Sequence, residues 1–408
     1  MRELTARRRL ESGQMTRRDI LGIAAVIGVA AGAIPLVRFF TGLKKTKKED
    51  CPKWDYWDAF VKKHIDSSGR VIDFLNPDLR STSESQSYGL FFSLVNNDIG
   101  LFERILSWTN YYLCQSHLGD RLPSWLWGQS TDNQWQVLDE NTASDADLWI
   151  AYSLIEAGRL WNRQEYKDKG LQVLKLIETL EVADISGIGK MMLPGSKGFN
   201  TPTQATFNPS YLPTMLFLRC AQEDPSGPWA DIAKNITQVL PNSAGFGFSP
   251  DWTAWDGSHF IPDPTHGSIG SYDAIRVYLW IAMLDSNIPA QDIFLKALNG
   301  PKNMLQAQSK IYEKIDITTG KGTGNAPIGF SGALLPYLSV LNENALLKAQ
   351  IDRIPDPLKD AGKALPYYER VLILFGQGWL ENRYRFAADG SLQPAWRQSS
   401  CSAIKSSL

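Results

Sequence analysis

The chain has 408 residues, 43% hydrophobic and 21% charged, a composition that excludes disorder, collagen and coiled coil for its bulk. The net charge of −1 hides an asymmetry: residues 1–50 hold 11 Lys/Arg against 5 Asp/Glu, so the rest of the chain is acidic. An acidic body argues against nucleic acid as a partner and suits a neutral ligand. An abundance of rings (14 Trp, 14 Tyr, 17 Phe) suits a cleft that stacks flat, amphipathic groups such as sugars.

Residues 1–50 read as an export signal or membrane anchor with a basic linker, and 51–408 as one folded body. Ile20–Val37 carries no charge and follows Arg17-Arg18. Paired arginines ahead of an Ala/Gly-rich apolar run resemble a twin-arginine export signal, with Ala31-Gly32-Ala33 as a small-residue cleavage site. The run also reads as an uncleaved anchor, since it is near the lower limit of about 17–20 residues for a span. Arg38, Lys44, Lys45, Lys47 and Lys48 then flank its far side, which is unusual for a translocated segment. The expected location is periplasmic or secreted, with anchoring through residues 20–37 left open. Contact with membrane or export machinery is expected of this segment alone.

Beyond it, two kinds of helix alternate. Trp54–Ile65, Leu101–Leu113, Glu165–Glu181, Trp229–Leu240, Ala290–Leu298 and Glu343–Ile354 have one charged face. Tyr88–Val95, Leu148–Leu160, Tyr211–Cys220, Ala274–Leu284, Gly332–Leu341 and Val371–Leu380 are apolar almost all round. Six buried helices with six amphipathic partners, repeating every 40 to 65 residues or so, predict an all-α fold, an (α/α)6 barrel of inner and outer rings.

Polar clusters stand where the inner helices begin: Ser83-Glu84, Ser144-Asp145-Ala146-Asp147, Asn208-Pro209-Ser210-Tyr211 and Ser271-Tyr272-Asp273. Each alone reads as a helix cap. Inner helices of such a ring run parallel, so the four would surround one opening. Carboxylates gathered there suit proton transfer. The four His (His64, His117, His259 and His266) fall outside the clusters, which leaves a metal as the weaker reading. No metal and no cofactor are expected.

The run Ala143-Ser144-Asp145-Ala146-Asp147-Leu148-Trp149, continued to Trp161, resembles the signature of glycoside hydrolase family 8. The resemblance extends to Thr82–Gly89, Phe207–Pro213, Ser271–Arg276 and Phe375–Trp379, and is nearest to the endoglucanases that accompany bacterial cellulose synthase. It implies an (α/α)6 barrel and an inverting endo-β-1,4-glucanase acting on cellulose-type β-glucan, with a cellulose synthase complex as partner. Chitosanase, xylanase and a catalytically weak glycan-binding protein are the alternatives. Carried onto this chain, Glu84 matches the general acid, Asp273 the general base and Asp145 the carboxylate that holds the distorted sugar. Arg276 matches an orienting arginine, Tyr211 and Tyr272 hydroxyls near the attacking water, and Asp147 a supporting acid. Ser85 and Ala146 stand where Gly is common.

Trp125, Trp127, Trp135, Trp252 and Trp255 lie in inter-helix segments, and one or two of them are expected to form a sugar platform. Cys114 and Cys220 fall in apolar stretches as inert thiols. Cys51 and Cys401 bracket the body and are expected to pair in an oxidising compartment.

Overall fold

The computed structural model describes residues 53–356 and 365–397. The expected export segment and the Cys51–Cys401 pair lie outside the described residues. The chain enters through α1 (Asp55–His64) and a two-residue strand, β1 (Ser81–Thr82), which leads directly into α2 (Ser83–Val95). Thr82 caps α2 through a capping box with Ser85, so the chain passes from strand to helix at Thr82 and Glu84 lies in the first turn. Then come α3 (Ile99–Trp108), a π-helical turn (Thr109–Leu113), and the hairpin of β2 (Leu126–Gln129) and β3 (Trp135–Asp139). Next are α4 (Ser144–Trp161), α5 (Gln164–Leu180), β4 (Val182–Ile185), β5 (Gly189–Met192) and β6 (Ala205–Phe207). A 3-10 turn (Pro209–Tyr211) precedes α6 (Thr214–Glu223) and α7 (Trp229–Ser243). Strands β7 (Thr253–Trp255), β8 (Phe260–Pro262) and β9 (Ile269–Gly270) lead to α8 (Ala274–Met283), α9 (Pro289–Ala297) and α10 (Gly300–Gln308). The described chain ends with β10 (Lys314–Asp316), β11 (Lys321–Thr323), α11 (Ile328–Val340), α12 (Asn344–Ile351), α13 (Tyr367–Leu380), β12 (Tyr384–Phe386) and β13 (Leu392–Pro394).

The expected alternation holds. Helices α2, α4, α6, α8, α11 and α13 pack in succession, and α3, α5, α7, α9, α12 and α1 each lie against one of them, in the same order. The inner succession closes through rings: Phe375 of α13 stands 5.0, 5.5 and 4.6 Å from Tyr88, Phe91 and Phe92 of α2. Trp149 of α4 is 1% exposed and meets rings from α2, α8 and α13. Each fully buried side chain of Phe375's kind contributes roughly 1.5–3 kcal/mol. Where α11 crosses α13, a Cβ on Gly376 would lie 1.8 Å from the Gly332 carbonyl oxygen, so only glycine permits the approach.

The helical rings hold as expected, with short strands added between the helices. Among the described residues these short strands form five small sheets, including β1–β2–β3 and β6–β7–β8. At two to five residues each they are too short to show alternation in the sequence. The outer segment Leu101–Leu113 changes to π-helical geometry at Thr109, the inner segment Tyr211–Cys220 starts its α-helix only after Pro213, and α10 is an addition. Cys114 and Cys220 are free and buried, and burial pushes both thiols up, as expected of inert core cysteines.

Candidate active site

Arg276 organises the helix mouths. It lies in the first turn of α8 and is 3% exposed. One terminal nitrogen, Nη1, donates to Glu84 Oε2 at the start of α2 and stands 3.7 Å from Asp145 Oδ2 at the start of α4. The other, Nη2, donates to Asp273 Oδ1 at 2.7 Å and to Ser210 Oγ at 2.9 Å. Nη1 also reaches Tyr88 Oη at 3.3 Å. A planar guanidinium fork is well suited to hold carboxylates from three helices in one geometry.

The three carboxylates differ in exposure. Asp145 is nearly sealed at 3%, while Glu84 at 21% and Asp273 at 30% open toward solvent. Burial raises the Asp145 carboxyl well above the usual range; Glu84 adds repulsion and Arg276 opposes both. Asp145 Oδ1 accepts from its neighbour's backbone, Ala146 N, at 2.8 Å. Its Oδ2 has no hydrogen-bond donor, leaving a buried acceptor for a ligand hydroxyl. Burial also raises Asp273, against Arg276 and the facing side chains of Asn208 and Trp252, which favour its charged form. The arrangement thus offers two accessible carboxyl groups and one sealed acceptor around a fixed cation, enough for paired acid and base chemistry on a bound ligand.

Of the expected residues, Glu84, Asp145, Asp273, Arg276 and Tyr211 come together. The Tyr211 ring lies 5.8 Å from the Arg276 guanidinium, and its hydroxyl is raised by burial, then by Asp145 and Asp273. Tyr272 does not join them. It is 42% exposed and donates from Oη to Glu313 at 3.1 Å, because the residue beside Asp273 leaves the helix start in a different direction. Tyr368 stands in that place. Its ring is 5.9 Å from the Arg276 guanidinium, its Oη donates to the Tyr272 carbonyl, and Arg276, Glu84 and Asp273 all act on it. Asp147 also lies apart: two residues past Asp145, it faces the other side of α4 and meets Glu181.

The tryptophans divide too. Trp125 is half-buried and joins two helix mouths, its carbonyl accepting from Ser83 N and its N–H donating to Asn141 O. Trp135 is 45% exposed and stacked on Trp127. Trp252 stacks on His266 and Phe199 beside Asp273. Trp127 and Trp255 have structural places instead. Trp127 is 7% exposed among Trp108, Tyr112 and Arg70. Trp255 donates to Ser186 O and is covered by Phe260 and Gly187.

Sequence reasoning missed Asp251. Its Oδ1 accepts from the backbone N–H of Ser271, Asp273 and Ala274 at 2.7, 3.1 and 2.8 Å, capping the Asp273 segment from another loop. No local spacing announces such a cap. Ser210 and Tyr88 lay inside quoted motifs, but only the fold aims them at Arg276.

Comparison with known proteins points to one family. Residues 46–382 match the family described as glycosyl hydrolases family 8. The chain is 54% identical to the endoglucanase of Xanthomonas axonopodis pv. citri over 98% of this chain and all of that one. It is 42% identical to the endoglucanase of Escherichia coli K12, over 85% and 92% of the two chains. Among solved structures, the endo-1,4-D-glucanase of Vibrio fischeri ES114 superposes with a TM-score of 0.78 at 37% identity, covering 85% of this chain and 100% of that one. An alternating double ring of helices with three acids held by one arginine at its mouth is the setting in which these matches fall, and the chain belongs to glycosyl hydrolase family 8.

Proposed function

We propose that the protein is an inverting endo-β-1,4-glucanase that hydrolyses cellulose-type β-glucan. The observation that carries this reading is the single Arg276 side chain shared by Glu84, Asp145 and Asp273. Glu84 is the general acid. Arg276 favours the charged forms of the two aspartates, against the burial that raises both. Asp273 is then the base that takes a proton from the attacking water, while Glu84 gives its proton to the departing glycosidic oxygen. Asp145, with its sealed and unpartnered oxygen, accepts from a hydroxyl of the sugar at the cleavage point. The relatives named above support the glucan substrate through the activities in their names.

Hydrolysis of carboxymethylcellulose by the Glu84→Gln and wild-type proteins tests the assignment. The variant should lose about 10²–10⁴-fold in turnover, since it cannot supply a proton. Retention of more than about a tenth of the rate would overturn the role of Glu84. We also place the enzyme outside the cytoplasm, in the service of cellulose synthesis. The Arg17-Arg18 pair supports export, and Arg17→Lys with Arg18→Lys should block it although charge is kept.

A further inference from the structure

Asp147 is the acid of the signature that the reaction leaves unused. In an α-helix, residues two apart lie on nearly opposite sides, so the first turn of α4 sends Asp145 into the cleft and Asp147 behind it. Asp147 and Glu181, just past α5, are both 0% exposed. As a carboxylate, Asp147 would have no donor for either oxygen. The side chain within hydrogen-bonding reach of it is another acid, Glu181. Two carboxylates repel; a contact between them needs a proton on one. Among the described residues no Lys or Arg is in ion-pair range of either, in contrast to the cleft.

We propose that Asp147 and Glu181 form a proton-sharing carboxyl pair that anchors the first turn of α4 and so positions Asp145 for the reaction. This rests on the reading of Asp145 as the sugar-holding acid. The surrounding bonds assign the roles. Glu181 Oε1 accepts from Thr142 Oγ1, which in turn accepts from Ser196 N at 2.9 Å. Glu181 O accepts from Leu193 N at 2.7 Å, and Ser144 N donates to Pro194 O at 3.0 Å. Glu181 is therefore the acceptor at the centre of a knot that ties the end of α5, the 193–196 segment and the start of α4. Asp147 is the protonated donor that fastens α4 to it. Both are positioning residues; neither reaches the cleft.

The titratable groups facing Asp147 are Asp145 on its own helix, Glu181 after α5, and the buried Cys114 thiol after the π-helical turn, which itself faces Arg121. Glu181 and Asp145 both oppose a charge on Asp147. Burial raises Asp147 well above the usual range and pushes Glu181 up to about 8, against the donors Thr142 and Asp147. The sign follows. The folded pair keeps a proton that the unfolded chain releases near 4.5, so the pair's contribution is full in acid and is lost as pH rises through about 8.

The experiment measures thermal unfolding, and kcat and KM on carboxymethylcellulose, between about pH 5 and pH 9 for the wild type, Glu181→Gln, Asp147→Asn and Asp147→Ala. Glu181→Gln should unfold with a flatter pH dependence than the wild type, because the titrating group is gone. Asp147→Asn keeps a donor to Glu181 and should hold kcat within about threefold at pH 6, whereas Asp147→Ala should lose about tenfold or more in kcat with KM little changed. Equal pH dependence in Glu181→Gln and wild type overturns the shared proton. Equal losses in Asp147→Asn and Asp147→Ala, or full kcat in folded Asp147→Ala, overturn the positioning role. Should Asp147→Ala fail to fold, the two amide variants decide. A wild type that unfolds as expected but cleaves no β-glucan would count against the proposed function and leave the pair standing.

Discussion

The two sides of the first turn of α4 meet the same physical problem with different means. In front, Glu84, Asp145 and Asp273 converge on the Arg276 guanidinium. Behind, Asp147 and Glu181 face each other with no cation. Buried like charges cost several kcal/mol unless they are paired or neutralised. A cation opposes the effect of burial and leaves carboxyl groups able to exchange protons with a ligand. A proton removes the charge and leaves a hydrogen bond. The difference separates acids kept for chemistry from acids kept for placement, although Asp145 and Asp147 are only two residues apart.

The same acid-to-amide change should therefore have opposite consequences on the two sides. Glu84→Gln should cost about 10²–10⁴-fold in turnover, against about threefold for Asp147→Asn at pH 6. Comparable losses measured on soluble cellulose would erase the distinction. Removing the cation should come next in size. Arg276→Gln leaves acids from three helices without a counter-charge, at a cost of about 3–5 kcal/mol of stability near neutral pH. Denaturant unfolding should show part of that loss recovered as pH falls, since the acids can then neutralise by protonation, as the rear pair does. A loss that ignores pH would mean that Arg276 acts mainly by packing.

Smaller effects sharpen the front side. Asp251→Ala deprives Ser271, Asp273 and Ala274 of their shared acceptor and should cost roughly 0.5–2 kcal/mol, as losses of helix caps do. Asp251→Asn should restore most of it in the same unfolding measurement. Asp273, already raised by burial, must be ionised to act as base, so activity should fall as pH drops through its folded value. Trp252→Phe removes a group that favours the charge and should move that acid limb of kcat to higher pH. A limb that stays in place would remove Trp252 from the account.

Much of this was legible in the chain. The alternation of all-round apolar helices with one-faced helices gave the ring, and caps at the mouths of inner helices gave the place of the acids. What the residues alone left open was which cap does chemistry, and resemblance supplied that for Glu84, Asp145 and Asp273. Three features stayed hidden for physical reasons. Tyr272 and Asp273 are adjacent, yet one turns to Glu313 and the other to Arg276. Tyr368 and Asp251 reach the site from segments remote in sequence, where no local pattern marks them. Asp147 shares its signature with Asp145, but its partner Glu181 follows an outer helix and carries no motif of its own.

The central claim is that the acids held by Arg276 work as an acid and a separate base across the sugar. Proton NMR of the anomeric signals during early hydrolysis of a cello-oligosaccharide tests it most directly. Inversion through Glu84 and Asp273 yields the α-anomer as the first product, with the β-anomer growing in later by mutarotation. A β-anomer present from the start would mean retention, and would contradict the roles given to both carboxylates.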